Sequence, residues 1–260
     1  MDPENYKDVQ MLSNYVNVIS RFSHLNLSLK HILEKEKEDY AFCLNSALKT
    51  SAKYVLLAED DAYPLDHFLP VLDYTIKYRY NFSFSLGELV KSDDRLAFIK
   101  LYHPDRILNY LNAYEPDRLP ELLAAGLFIS AIITLITKRY FKQSNIKTIY
   151  IFWTFYSMLV LLCIGRANLL ELLRIHPQFY RFVKSPSCCT PALLFSRAGG
   201  KALVQFLQNV KCGLSYPKDK AIADFLEREN WKAKLVSPNV FLHIGQYSSL
   251  GEKKVNPYLV

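Results

Sequence analysis

Apolar residues are unevenly distributed along the chain. From Leu122 to Gly165 the sequence is dominated by Leu, Ile, Phe and Tyr, in two runs without a charge: LLAAGLFISAIITLIT (Leu122 to Thr137) and TIYIFWTFYSMLVLLCIG (Thr148 to Gly165). As helices these runs extend about 24 and 27 Å, short of the ~30 Å average hydrocarbon core but close to the thinner membranes of the early secretory pathway. The connecting segment Lys138 to Lys147, KRYFKQSNIK, holds four basic residues and no acidic one. So short a link predicts an antiparallel pair, and the positive-inside rule puts its tip in the cytosol and both flanking polar segments on the opposite side. Tyr140, Phe141, Tyr150 and Trp153 suit an interfacial aromatic belt. A buried helical hairpin of a soluble protein is the competing reading. The uncharged runs, aromatic flanks and all-basic tip together favour the membrane.

Outside this hairpin the pattern alternates. Tyr6 to Arg21 has apolar residues at helical spacing, Glu34 to Glu38 reads as a solvated charged turn, and Tyr40 to Ser51 continues as an amphipathic helix. The run KYVLLA, Lys53 to Ala58, predicts a strand buried on both faces, and it ends in Glu59, Asp60 and Asp61. A helix follows Pro64, and Phe82 to Leu86 and Leu96 to Tyr102 read as two further strands. After the hairpin come a strand over Ala192 to Phe195, helices over Gly200 to Val210 and Lys218 to Glu229, and a short strand over Val240 to Ile244. The expected organisation is an α/β domain in two parts, residues 1–121 and 166–260, interrupted by a hairpin over residues 122–165.

Composition narrows the functional classes. Half of the 260 residues are apolar, which excludes a disordered polyelectrolyte, a collagen-like repeat and a minimal disulfide knot. The formal charge of +7 is poor evidence for nucleic acid, because the hairpin tip supplies four positive charges and no basic stripe with interleaved aromatics occurs elsewhere. None of the five cysteines makes a C-x-x-C zinc spacing. In an oxidising lumen Cys188 and Cys189 could form a vicinal disulfide or pair elsewhere, with Cys43 or Cys212 as candidates, whereas Cys163 lies within an apolar run. Met1 is followed by Asp2, Pro3 and Glu4, with no apolar signal-peptide core.

Three consecutive carboxylates after a strand repel one another unless a cation or basic partner is present. Hard divalent ions such as Mg²⁺ and Mn²⁺ favour oxygen ligands, and the carboxyl ends of strands are where open α/β folds place their sites. Glu59, Asp60 and Asp61 are therefore candidates for a metal and diphosphate site, against the alternative of a solvated acidic turn.

LLAEDDAYPLDHF resembles the acidic metal-binding motif of GT-A glycosyltransferases. Together with IKLYHPDR, CCTPALLF, YPKDKAIADFL and HIGQYSSL, and with the inserted hairpin, the chain resembles the Golgi transferases that add N-acetylgalactosamine to the glycan of GPI anchors. The likeness runs from about Asp39 to the C-terminus. It implies a GT-A-like fold interrupted by a two-helix transmembrane hairpin, a multi-pass Golgi membrane protein with its catalytic part in the lumen, and Mn²⁺-dependent, inverting transfer from UDP-GalNAc to a mannose of the GPI glycan. Asp61 and His243 then correspond to metal ligands, and Glu59 and Asp60 to contacts with nucleotide or bound water. Thr190 and Pro191 correspond to donor-sugar contacts, and Asp219 to the base that deprotonates the acceptor hydroxyl. On its own Asp219 reads equally as an N-cap or dipole partner, with Glu227 and Glu229 further along the same helix, and His243 as a satisfied histidine. Lys100, Tyr102 and His103 are acceptor-side candidates that amphipathic strand packing would explain as well. GT-A domains begin with a strand and nucleotide-binding loop, whereas here the first strand-like run directly precedes the acidic motif; the expected fold is thus N-terminally incomplete. Two alternatives stand beside this reading. One is an N-glycan branching N-acetylglucosaminyltransferase, similar in its E-D-D and HIG-x-x-SSL motifs but lacking the hairpin. The other is a non-catalytic membrane-hairpin protein with a cation-binding acidic loop.

Overall fold

A computed structural model describes Met11 and residues 13–19, 32–80, 95–104, 109–111, 118–140, 145–187 and 189–245. In chain order the elements are α1 (Ile32–Leu48), β1 (Tyr54–Ala58), β2 (Ala62–Pro64), α2 (Phe68–Tyr74) continued by a π-helical turn (Thr75–Tyr80), and β3 (Leu96–Lys100). The long helices α3 (Arg118–Tyr140) and α4 (Ile146–Ile164) come next, then α5 (Arg166–Glu171) and two 3₁₀ turns (Leu172–Ile175 and Pro177–Phe179). The chain continues through β4 (Arg181–Lys184), β5 (Ala192–Ser196), α6 (Arg197–Gln208), α7 (Lys218–Arg228), β6 (Lys232–Ser237) and β7 (Phe241–His243).

Five strands form one sheet in the order β1-β5-β3-β6-β4, and β2 pairs with β7 in a separate ladder. The sheet interleaves strands from before the hairpin (β1, β3) with strands from after it (β5, β6, β4). The long helices thus lie in sequence between strands that share one sheet. Most of the Tyr6 to Arg21 helix, the Phe82 to Leu86 strand, the centre of the hairpin tip and Cys188 lie outside the described residues.

By internal contacts the chain divides into two units. In the first, α1 packs with α6 and α7 around Leu44, Leu203, Leu207 and Phe225, all fully buried. Ser196 caps α6 by accepting from Gly199 N at 3.0 Å while donating to Leu96 O at 2.6 Å. Gly199 is needed for this approach, because a Cβ there would lie 2.3 Å from Ala97 Cα. Arg197 donates to Leu48 O and Ala52 O, satisfying carbonyls at and beyond the end of α1. The Glu34 to Glu38 turn is not a solvated face. Lys37 is buried and bonds Glu34 Oε1 at 2.8 Å and Val210 O at 2.9 Å, and Glu34 Oε2 accepts from Cys212 N. Lys218 is likewise buried, 2.8 Å from Glu36 and over the Tyr40 ring. Burial lifts the Cys212 thiol above its ordinary range.

The second unit holds the β2–β7 ladder, α2, the hairpin and the segment that follows it. The hairpin helices, 23 and 19 residues long, extend about 34 and 28 Å. Only 22% and 17% of their most apolar windows are buried, whereas a soluble core helix would be mostly covered. Phe128, Leu135, Phe152, Phe155 and Leu159 are among the large side chains left exposed. Arg118, Leu122, Gly126, Ser130 and Thr134 are buried at four-residue spacing along α3, and Thr154, Ser157 and Leu161 are buried on α4. Ser130 Oγ and Thr154 Oγ1 hydrogen-bond across the pair at 2.8 Å, and a Cβ on Gly126 would lie 2.6 Å from Met158 Cγ. Small and hydroxyl residues at the seam with large apolar residues outside is the arrangement expected of helices packed in lipid. At the root of the hairpin, Glu121 pairs with Arg166 at 3.1 Å and Arg181 at 3.6 Å.

The β1 expectation needs correction: only Val55 is buried in that strand, and Leu56 is 39% exposed. Among the described residues β1 ends the sheet order and has one neighbouring strand, and it is β3 whose residues are all buried. No disulfide joins the described cysteines Cys43, Cys163, Cys189 and Cys212.

Candidate metal centre

The acidic motif is held by a tight turn. Glu59 follows β1 and donates its N–H to Pro191 O at 2.8 Å; Ala62 N returns to Glu59 O at 3.1 Å, closing a turn with Asp60 at its exposed tip. β2 begins immediately and runs antiparallel to β7, with Ala62 opposite His243. Ile244 N donates to Asp61 O at 2.9 Å and extends the ladder by one step. This register brings His243 beside the acidic turn despite the long separation in sequence.

One ligand atom from each of Glu59, Asp61 and His243 lies within 4.8 Å of the others. His243 Nε2 and Asp61 Oδ2 are 3.0 Å apart. Octahedral ligands about 2.1 Å from an ion and at right angles to one another lie about 3.0 Å apart, so this spacing suits two ligands of one cation. Asp61 Oδ1 and His243 Nδ1 are shielded from solvent and have no hydrogen-bond partner among the described residues. A Cβ on Gly245 would lie 2.1 Å from Asp61 Oδ2, so the bare backbone there makes room for the carboxylate. Two carboxylates and one imidazole, half-buried, form an O,O,N donor set suited to Mn²⁺ or a similar divalent ion.

Neighbouring groups hold this arrangement in place. Thr190 is buried and donates to Glu59 Oε1 at 3.3 Å, so its hydroxyl braces a candidate ligand. Cys189, just before it, adopts φ of 70°, a left-handed conformation unusual outside glycine and asparagine. The Tyr102 ring packs at 5.8 Å from the His243 ring. Asn239 clamps the His103 backbone from both sides, accepting from His103 N at 3.0 Å and donating to His103 O at 2.7 Å.

Of the residues selected from sequence, Glu59, Asp61, His243, Thr190 and Pro191 come together here. Glu59, read from sequence as a nucleotide contact, is close enough to Asp61 and His243 to be a candidate ligand alongside them. Lys100 and His103 are interior, and Lys100 Nζ donates to Pro186 O at 2.8 Å, which favours packing over acceptor contact. Asp219 belongs to the other unit, in the first turn of α7. Pro217 holds the N-cap position, which leaves Asp219 the dipole-partner role rather than the cap. Glu227 and Glu229 are exposed at the far end of that helix. Gly245 and Asn239 were missed: Gly245 stands within the HIG motif, but its steric role depends on where Asp61 falls, and Asn239 carries no motif.

An α/β domain with a cation-competent acidic turn at the end of an edge strand, interrupted by a hairpin long and apolar enough to cross a bilayer, defines a membrane protein with a candidate metal-dependent site. The sequence matches the family described as GPI-N-acetylgalactosamine transferase PGAP4 over residues 1–242. The chain belongs to this glycosyltransferase family. No solved structure matches it.

Proposed function

We propose that the chain acts as a GT-A-type, inverting transferase that moves N-acetylgalactosamine from UDP-GalNAc to a mannose of the GPI glycan at the luminal face of the Golgi membrane. The observation that carries this reading is the meeting of Glu59, Asp61 and His243 across the β2–β7 ladder in a chain of this family. Glu59, Asp61 and His243 would hold a divalent ion such as Mn²⁺, which when bound would supply positive charge to balance the diphosphate leaving group. Thr190 and the Pro191 carbonyl fix Glu59, the backbone bond from Ile244 fixes Asp61, and Tyr102 supports the His243 ring. The acceptor hydroxyl attacks the anomeric carbon opposite the leaving UDP, the carbon–oxygen bond to UDP breaks, and Asp219 takes the hydroxyl proton. The Asp219 role rests on the family resemblance. Asp60, exposed at the turn tip, is suited to contact nucleotide or water.

In cells lacking the endogenous activity, Asp61→Ala and His243→Ala each abolish GalNAc-modified GPI, and unchanged modification overturns the metal assignment. Calorimetry with Mn²⁺ and UDP separates an enzyme, which binds both with positive coupling, from a hairpin scaffold, which binds neither. Substitution of UDP-GlcNAc for UDP-GalNAc in a transfer assay tests donor choice.

A further inference from the structure

We propose that the two 3₁₀ turns after the hairpin, Leu172–Ile175 and Pro177–Phe179, form a ledge that lies in the lipid interface and fixes the candidate metal centre at a set height above the bilayer. The proposal rests on the reading of the hairpin as membrane-spanning.

The ledge begins close to the lipid. α4 ends at Ile164, Gly165 turns the chain with φ of 80°, and α5 contributes only six residues, at most about 9 Å of rise. Within the next eight residues Leu172, Ile175 and Phe179 are 62%, 77% and 52% exposed. A 3₁₀ turn places positions three apart on one side, so Leu172 and Ile175 share a face. Arg174 within the segment and Tyr180 just after it bond back into the protein, whereas His176 and Gln178 are exposed. Arg174, mostly buried, donates to Glu171 and to Asn239 O, and the fully buried Tyr180 has its hydroxyl 2.6 Å from His67 Nε2. Three exposed apolar side chains with the Arg174 charge turned inward, directly beside a transmembrane end, identify the lipid interface as the occupant through continuity with the span, and the exposed His176 and Gln178 suit its headgroup side. Arg166 and Arg181, paired with Glu121 at the hairpin root, mark the polar boundary at this end.

The inward bonds tie the ledge to both strands of the metal-site ladder. Arg174 holds the Asn239 carbonyl, and Asn239 precedes β7, which carries His243. Tyr180 holds the ring of His67, which stands at the start of α2 just after β2 and the Asp61 turn. A lipid-anchored acceptor presents its glycan at a limited height, so a site held at that height meets it at high effective concentration.

The test uses the full chain reconstituted in phosphatidylcholine vesicles, with and without bromine on the upper acyl chain. In Ile175→Trp, the emission added over wild type falls by roughly half in brominated lipid, as expected for an interfacial indole. In a Trp231→Phe background, native Trp153 within the hairpin reports separately whether the span is in lipid. Quenching of Trp153 without quenching at position 175 overturns the ledge and leaves the hairpin reading intact; quenching of neither overturns both. In the double variant Leu172→Glu, Ile175→Glu, KM for a vesicle-borne GPI acceptor rises about tenfold while KM for a soluble glycan fragment is unchanged. An equal rise for both acceptors would assign these residues to packing alone and refute the proposal.

Discussion

Gly245→Ala isolates the geometry of the candidate metal centre from the chemistry of its ligands. The new methyl carbon would stand 2.1 Å from Asp61 Oδ2 and 3.0 Å from its Cγ, where ordinary contact begins at 3.4 Å. The oxygen must therefore retreat by about 1.3 Å, or the β7 end must lift away. Gly245 is not in the left-handed region, so alanine adopts its backbone angles without penalty and the perturbation is steric. Rotation of the Asp61 carboxylate off its rotamer costs about 0.5–1.5 kcal/mol, and it breaks the 3.0 Å register with His243 Nε2. Disturbing the support of a metal ligand typically weakens affinity by about 10–100-fold, and a displacement of about 1 Å can lower turnover on the order of 10²-fold. Mn²⁺ titration by calorimetry should show that weakening, while the metal-free melting temperature stays within about 2 °C of wild type because the substitution lies at the end of the two-stranded ladder. Wild-type Mn²⁺ affinity in the alanine variant would refute the placement of Asp61 Oδ2 at the ion.

Gly199→Ala places a methyl carbon against the Ala97 backbone, which cannot rotate away; urea denaturation should show a loss of about 2–3 kcal/mol, and an unchanged midpoint would refute the close approach of α6 to β3. Glu121→Gln leaves the mostly buried Arg166 without its carboxylate, and because Glu121 is partly exposed the expected loss is about 1–2 kcal/mol, read as a lower melting temperature in detergent. Tyr216 has its hydroxyl pushed up to about 12, first by burial and then by its hydrogen bond to Asp224 at 2.8 Å. Its folded value lies above the ordinary 10.0, so its contribution to stability is complete below pH 10 and is lost as pH rises towards about 12. Tyr216→Phe should flatten the stability profile in that window, and phenolate absorbance at an unshifted pH would contradict the assignment.

Some of this architecture is written locally and some is not. KYVLLA followed by three carboxylates announces a strand and a charged turn because the polarity change is abrupt. The candidate ligand position of Glu59 is not announced, since it depends on Thr190 and Pro191 arriving from the far side of the hairpin. β4 and β6 escape a pattern search because RFVK and KAKLVS interrupt their alternation with basic residues; Lys234 lies 6.0 Å over the Phe182 ring on the paired strand. β2 is three residues ending in proline, tolerable because among the described residues its ladder has two strands. The helix after Pro64 was predicted, but not its tightly bonded end: Thr75 Oγ1 donates to Val71 O and Leu72 O where α2 gives way to the π turn. Lys37 looked solvated because charge runs usually are, and only the partners Glu34 and Val210 explain its burial. The hairpin was legible in composition alone, although Gly126, Ser130 and Thr154 acquire their seam role only once the helices are in register.

The interleaving of strands on either side of the hairpin sets a condition on biosynthesis. A pair of crossings returns the chain to the compartment it left, so β2 and β7 can meet; one crossing would leave Asp61 and His243 on opposite sides of a bilayer. A variant lacking α4 would thus lose the centre by topology, however well each remaining segment folded. Because Phe241–His243 follows both hairpin helices in the chain, the ladder that frames the candidate metal centre can close only after both helices have been synthesised.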